Sequence, residues 1–258
     1  MTNNTIPMPK AAAIVAAAGT GSRFKGDKIF TNLKDMPVIV WTLKALESAI
    51  MVTEIVPVVR EDGVERLKEL IKRHSITKVK DVVVGGAARQ DSVYNGLKAL
   101  SGDVDIVLIH DGARPLIRTE MIGASIESLI MSEVEGVVVG VPVKDTVKRI
   151  DVDSQHLIKE TLDRGSLWLA QTPQVFYRQR LIEAFKKAYS EGYYATDDAA
   201  LMEYYGAPVM MLKGSYENIK ITTPEDLLVA MAFIAKRDEG ETAKHAQDEL
   251  AAFGSYSP

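Results

Sequence analysis

Short apolar runs that alternate with helical patterns constrain this chain more than any other feature. Residues 11–18 read AAAIVAAA and end at a glycine loop. A continuous apolar run of that length, bounded by turn signals, is a strand buried on both faces. Further runs occupy 54–59, 79–84, 105–110, 136–143 and 209–212. Between them, Val64, Leu67, Leu70 and Ile71 give the 3–4 spacing of an amphipathic helix within 61–74. Pro37 stands where it opens a helix over 38–49. Helices are also predicted over 92–100, 119–132, 178–191 and 197–205, with a last one opened by Pro224. Strand–helix alternation predicts an α/β fold with a mostly parallel sheet. One domain over residues 10–236 accounts for the pattern, followed by a tail over 237–258 that is charged and alanine-rich over 237–254, where it reads as a frayed helix, and is expected to be disordered over 255–258.

One segment breaks the alternation. Residues 145–162 are polar and charged, with β-branched residues on both sides of Asp151-Val152-Asp153-Ser154. The pattern predicts a hairpin that leaves the sheet. An isolated hairpin is at best marginally stable, so this one packs either on a partner subunit or as a flap on its own chain. Spacing leaves both readings open.

Composition removes several function classes. The chain has no cysteine, so disulfides, cysteine-ligated metals and thiol catalysis are excluded. Lys and Arg total 31 against 35 Asp and Glu, a net charge of −4. That balance argues against nucleic acid as a partner, which calls for a basic face. No run of 18 apolar residues is present, so no membrane association is expected. The polar N-terminus, with Pro7 and Pro9, lacks an apolar signal core, which makes the cytoplasm the expected compartment.

The loop after the first strand reads Ala17-Ala18-Gly19-Thr20-Gly21-Ser22-Arg23, with Lys28 beyond. A glycine loop there lets backbone N–H groups approach phosphates, and Arg23 and Lys28 add positive charge. A tight turn with solvent-facing bases is the simpler alternative. No Gly-Lys-Ser/Thr follows, so the loop is not a Walker A motif, and Phe24 stands where a dinucleotide fingerprint needs Gly or Ala.

More specific stretches follow in order. They are Gly85-Gly86-Ala87-Ala88-Arg89-Gln90-Asp91-Ser92-Val93, His110-Asp111-Gly112-Ala113-Arg114-Pro115 and Val141-Pro142-Val143-Lys144-Asp145-Thr146. Then come Arg164-x-x-Leu167-Trp168-x-Ala170-Gln171-Thr172-Pro173-Gln174, Thr196-Asp197-Asp198-Ala199 and Asn218-Ile219-Lys220-Ile221-Thr222-Thr223-Pro224. With the glycine loop, this ordered set closely resembles the 2-C-methyl-D-erythritol 4-phosphate cytidylyltransferases over about residues 11–235. The resemblance implies a single Rossmann-like nucleotidyltransferase domain with a mostly parallel mixed sheet and a protruding β-arm. It implies transfer of a cytidylyl group from CTP to a polyol phosphate with release of pyrophosphate, in the non-mevalonate route to isoprenoids. It also implies magnesium held mainly by the CTP phosphates, and a homodimer formed by arm exchange.

By the same resemblance, Arg23 and Lys28 stabilise the transition state at the α-phosphate, while Arg164 and Lys220 position the acceptor phosphate. Ala17, Ala18, Gly19 and Gly21 line the nucleotide pocket. Gly86 and Ser92 read the cytosine edge, with Arg89 and Asp91 ordering their loop; an N-cap is the alternative for Ser92. Asp111 and Arg114 hold the sugar phosphate, a structural ion pair being the alternative. Thr196 adds a hydroxyl contact, and Thr146 and Arg164 act on the neighbouring subunit's substrate. No protein residue is expected as a metal ligand. A phosphate monoester is largely dianionic at pH 7, so the nucleophile needs no general base and no catalytic His or Cys. His110 is expected to be structural, Asp197-Asp198 to begin a helix, and Trp168 to pack in the core. Relatives usually separate the loop arginine and lysine by about seven positions, often with Pro before the lysine; here Arg23 to Lys28 spans five, with Asp27 before it. A ribitol 5-phosphate cytidylyltransferase and a catalytically silent nucleotide-binding module are the alternatives.

Overall fold

The computed structural model describes residues 8–19, 21, 24, 26–153 and 155–254, with side chains described as far as residue 239. The strands are β1 (Ala11–Ala16), β2 (Asn32–Leu33), β3 (Met36–Pro37), β4 (Val52–Val59), β5 (Val83–Val84), β6 (Ile106–Asp111), β7 (Gly136–Pro142), β8 (Lys148–Ile150), β9 (Ile158–Thr161), β10 (Trp168–Tyr177) and β11 (Val209–Lys213). The α-helices are α1 (Val38–Ser48), α2 (Val64–Arg73), α3 (Arg89–Ala99), α4 (Thr119–Met131), α5 (Arg178–Ser190), α6 (Asp198–Tyr205) and α7 (Pro224–Gly254). Seven strands form the central sheet in the order β11-β7-β10-β6-β1-β4-β5. All pairings are parallel except those of β10, which runs antiparallel to both β6 and β7. The α/β class and the mostly parallel mixed sheet agree with the sequence reading.

Strand β1 shows why apolar runs became central strands. Ala11, Ala13 and Val15 face one core cluster with Ile39, Leu43, Leu67 and Ile122. Ala12 and Ile14 face the other, with Val93, Leu97, Leu181 and Phe185. The period-2 alternation of a strand sends side chains to both faces, so a strand covered by helices on both sides must be apolar throughout. Each large side chain buried there, such as Phe185, contributes about 1.5–3 kcal/mol. A third cluster under the start of α7 joins Ala230 and Ile234 to Leu33, Val38, Ile221 and Phe24. Phe24, which excluded a dinucleotide fingerprint, thereby pins the glycine loop to the body of the protein.

Two differences from the sequence reading have physical causes. Strand β10 has no counterpart among the predicted elements, because Pro173 removes a ladder donor and argues against a central strand. The structure accommodates it at a register irregularity between Ala170 and Gln174. Trp168, expected in the core, is 37% exposed at the start of β10, beside the 56%-exposed Leu169. Helix α7 continues past Lys236 without a break. Arg237 donates to the Leu116 carbonyl at 2.9 Å and to Glu217 at 3.0 Å, and Lys34 pairs with Asp238 at 2.7 Å, so the start of the predicted tail is tied to the domain.

The 145–162 excursion is a two-stranded arm. Strands β8 and β9 pair antiparallel, apart from the central sheet, and every residue in them is exposed.

Candidate active site

Parallel strands deliver their following loops to one edge of the sheet. Ala16 of β1 lies beside Val58 of β4 and Asp111 of β6. The exits are fastened to one another: Ala17 N–H donates to the Val58 carbonyl at 2.8 Å, Gly112 N–H to that of Ala16 at 2.9 Å, and Gly85 N–H to that of Val59 at 2.8 Å. A cavity of about 460 Å³ opens at this edge. Ligands of open α/β sheets bind outside the carboxyl ends of the strands, where this cavity lies.

The structure brings Ala17, Ala18, Gly19, Lys28, Gly86, Ser92, Asp111 and Lys220 together in the cavity wall. Gly21 is not among the lining residues; its φ is +60°, and a β-carbon there would lie 3.6 Å from the Lys28 side chain. Phe24 N–H donates to the Gly21 carbonyl at 2.8 Å. Arg23 lies outside the described residues. Thr196 is exposed, ahead of the α6 N-cap, and away from the cavity lining. Thr146 and Arg164 stand at the two ends of the arm, where Arg164 donates to the Lys144 carbonyl at 2.9 Å.

Asp111 is the electrostatic centre of the site. Its Oδ2 lies 2.9 Å from Lys220 Nζ and 3.5 Å from Arg114 Nε. Burial works against its charge, but Lys220, Arg89 and Arg114 together outweigh burial and hold its carboxyl down at about 2. Asp111 is therefore anionic throughout the physiological range. Arg114 anchors more than it lines. Its Nη1 donates to the Asn218 carbonyl at 2.7 Å, which ties the His110–Pro115 turn to the segment carrying Lys220. Of the two readings of the Asp111–Arg114 pair, the structural ion pair is present, and it orients a carboxylate that faces the cavity.

His110 is wholly buried and acts as a strut. Asp111 N–H donates to Thr172 Oγ1 at 3.0 Å, the Thr172 hydroxyl donates to His110 Nδ1 at 3.0 Å, and His110 Nε2–H donates to the Arg114 carbonyl at 3.2 Å. Burial pushes the imidazole down to about 4, so it is neutral at pH 7. This chain fixes Asp111 and Arg114 through β10, the strand that sequence patterning missed.

The second wall is the loop before α3. A β-carbon on Gly85 would fall 2.3 Å from the Ala18 β-carbon, so only glycine lets the two loops approach. Ser92 is not an N-cap. Its hydroxyl accepts from Gly86 N–H at 3.1 Å and donates to the Ala88 carbonyl at 3.0 Å, which shapes the loop. Asp91 reaches back to Ala88 N–H at 3.0 Å and accepts from the Tyr189 hydroxyl at 2.9 Å. Arg89 is bound to the buried Asp198 at 2.6 Å. Burial opposes its charge, but the Asp198 carboxylate raises its pKa further above the ordinary arginine value. Asp197 caps α6 by accepting from Ala200 N–H at 2.9 Å, so the Asp197–Asp198 pair begins a helix.

Sequence reasoning missed Arg60, which follows β4 and lines the cavity. The available signal was its place directly after a buried run, at the carboxyl end of a parallel strand. Among the described residues, no cluster of three or more His, Asp, Glu or Cys side chains could hold a metal ion, and no helix is long and apolar enough to cross a membrane.

A glycine loop after the first strand and a cation-lined cavity at the sheet edge mark an enzyme of the nucleotidyltransferase class. The sequence matches the family of 2-C-methyl-D-erythritol 4-phosphate cytidylyltransferases over residues 11–236. The member from Pelotomaculum thermopropionicum is 46% identical over 234 residues, covering 89% of this chain and 96% of the relative. The Clostridioides difficile member is 44% identical over 233 residues, covering 88% and 96%. The crystal structure of 4-diphosphocytidyl-2C-methyl-D-erythritol synthase from Anaerococcus prevotii superposes with a TM-score of 0.77 at 30% identity, covering 88% of this chain and 99% of that one. The chain belongs to the 2-C-methyl-D-erythritol 4-phosphate cytidylyltransferase family, whose work is CTP-dependent cytidylyl transfer in isoprenoid biosynthesis.

Proposed function

We propose that this chain transfers the cytidylyl group of CTP to the phosphate of 2-C-methyl-D-erythritol 4-phosphate in the cavity at the carboxyl ends of β1, β4 and β6. The observation that carries the reading is a cavity walled by Lys28, Arg60, Arg89 and Lys220, with Asp111 its one carboxylate among the described residues. Two polyanions must meet there against their mutual repulsion, and fixed cations lower that barrier. An oxygen of the acceptor phosphate forms a bond to the α-phosphorus. The bond from that phosphorus to the β-bridging oxygen breaks, and its electron pair leaves with pyrophosphate. The acceptor is already dianionic, so no side chain removes a proton. Lys220, oriented by Asp111, meets the acceptor phosphate. Lys28 and Arg23 meet the charge that builds on the α-phosphoryl oxygens. The backbone of Ala17, Ala18, Gly19 and Gly21 and the Gly86–Ser92 loop hold the nucleotide.

The donor set fits a divalent cation such as magnesium when it is carried by the triphosphate, since a single carboxylate faces the cavity. Bound there, the ion neutralises phosphate oxygens. The enzyme works as a homodimer in the cytoplasm. Exposed Ile150, Val152, Leu157 and Ile158 on the arm, with Trp168 and Leu169 at its base, are apolar surface that a second copy would bury, and arm exchange would carry Thr146 and Arg164 to the neighbouring site. Pyrophosphate release is the test, run with CTP, magnesium and methylerythritol phosphate beside UTP, ATP and ribitol 5-phosphate. Turnover that requires CTP and methylerythritol phosphate is expected. Turnover of ribitol phosphate alone, or none with any acceptor or metal, would overturn the assignment.

A further inference from the structure

We propose that Arg60 is a further substrate-binding residue, which grips the terminal phosphates of the nucleoside triphosphate and the pyrophosphate that leaves. This rests on the cytidylyl-transfer reading and deepens it. In the described cavity wall, Arg89 is matched by the buried Asp198 at 2.6 Å and Lys220 by the buried Asp111 at 2.9 Å. Arg60 is held differently. Its Nε and Nη2 each donate to Asp62 at 3.2 Å, and its Nη2 lies 3.8 Å from Asp27 Oδ2. The Asp62 side chain is 70% exposed and that of Asp27 38%. Exposed ion pairs contribute little, so exchanging them for a polyphosphate costs little. Both exchanged hydrogen bonds come from the planar edge of the guanidinium, the fork that matches two phosphate oxygens at once.

Position selects which phosphates. Val58 of β4 and Asp111 of β6 flank Ala16 on opposite sides. Adjacent strands lie about 4.8 Å apart, so β4 and β6 are separated by about 10 Å at this level. Asp111 and Lys220 occupy the β6 side, where the acceptor phosphate is assigned. Arg60 continues β4 on the other side, beside the Gly86 loop, whose Gly85 N–H donates to the Val59 carbonyl at 2.8 Å, and within 3.8 Å of Asp27, the neighbour of Lys28. Its charge therefore serves the nucleotide and not the acceptor.

The test compares Arg60→Ala and Arg60→Lys with the wild-type enzyme. Three constants are read: KM for CTP, the inhibition constant of pyrophosphate against CTP, and KM for methylerythritol phosphate. The alanine variant is expected to raise the first two by about tenfold and leave the third within about twofold, with lysine recovering part of the loss. Unchanged CTP and pyrophosphate constants would overturn the proposal, as would an acceptor KM that rises in parallel. Calorimetric titration of pyrophosphate into wild type and Arg60→Ala reads the same contact without turnover. Failure of the wild type to turn over would thus count against the reaction assignment, and equal pyrophosphate affinities against Arg60.

Discussion

His110 and Asp111 are adjacent in the chain, and the fold gives them opposite electrical fates. The carboxylate is buried among three cations and stays charged, while the imidazole is buried among neutral partners and stays uncharged. Both pKa values lie below those of an unfolded chain, so the unfolded state takes up protons first and stability falls with pH. His110 removes stability as pH drops from about 6.5 to 4, on the order of 3 kcal/mol in all. Asp111 continues the loss from about pH 4 towards 2. Urea unfolding of the wild type at pH 7, 5.5 and 4.5 is expected to show this decline. A His110→Gln variant should have a flatter profile across that window, whatever its stability at pH 7. An unchanged slope would mean that His110 is not held neutral. The sequence allowed only a structural role for His110, since its partners, Thr172 and the Arg114 carbonyl, come from the missed strand and from a turn.

At the scale of elements, helix α3 links core packing to the loop proposed to hold the nucleotide. It begins at Arg89, directly after the glycine-rich loop, and carries Ser92 on the turn that shapes that loop. Its seat on the sheet depends on Gly96, where a β-carbon would fall 2.7 Å from Ile14 Cγ2 and 2.9 Å from Val58 Cγ2. Alanine would improve helix propensity by about 1 kcal/mol. Both clashing groups belong to stiff, β-branched side chains on the central strands, and overpacking a core costs about 1–3 kcal/mol. Gly96→Ala is therefore expected to lower the thermal midpoint and, by lifting α3, to raise KM for CTP more than KM for the acceptor. A stabilised variant with normal CTP affinity would contradict this account of the seat. Strand β10 makes the complementary point. It stands between β6 and β7 and supplies Thr172 to the site, yet Pro173 and its polar neighbours hide it from any period-2 pattern.

The whole molecule is one α/β layer structure with two extensions, the arm and the end of α7. The arm leaves apolar side chains in solvent, with Val152 75% and Leu157 66% exposed. Sedimentation of the wild type is expected to give a dimer. A Leu157→Glu, Ile158→Glu double variant should sediment as a monomer with normal far-ultraviolet circular dichroism and sharply reduced turnover. A fully active monomer would refute the shared site. Mixing Arg164→Ala with Lys28→Ala subunits should restore part of the activity through heterodimers. No recovery, with exchange verified, would place Arg164 and Lys28 in the same subunit's site.

The sequence alone determined the class of fold, because a strand covered on both faces must be apolar throughout and the helices between must carry one apolar stripe. It also determined the family and most of the cavity wall, because glycine loops, an acidic residue at a strand end and a following lysine are local patterns with local signatures. Tertiary structure decided what depends on residues far apart in the chain. It joined Lys220 to Asp111 across 109 positions, buried Arg89 against Asp198, and brought Thr172 beneath His110. It also turned Arg60 into part of the cavity and left Trp168 in solvent. These outcomes follow from strand order and burial, which fix distances and local dielectric, and no linear spacing encodes either one.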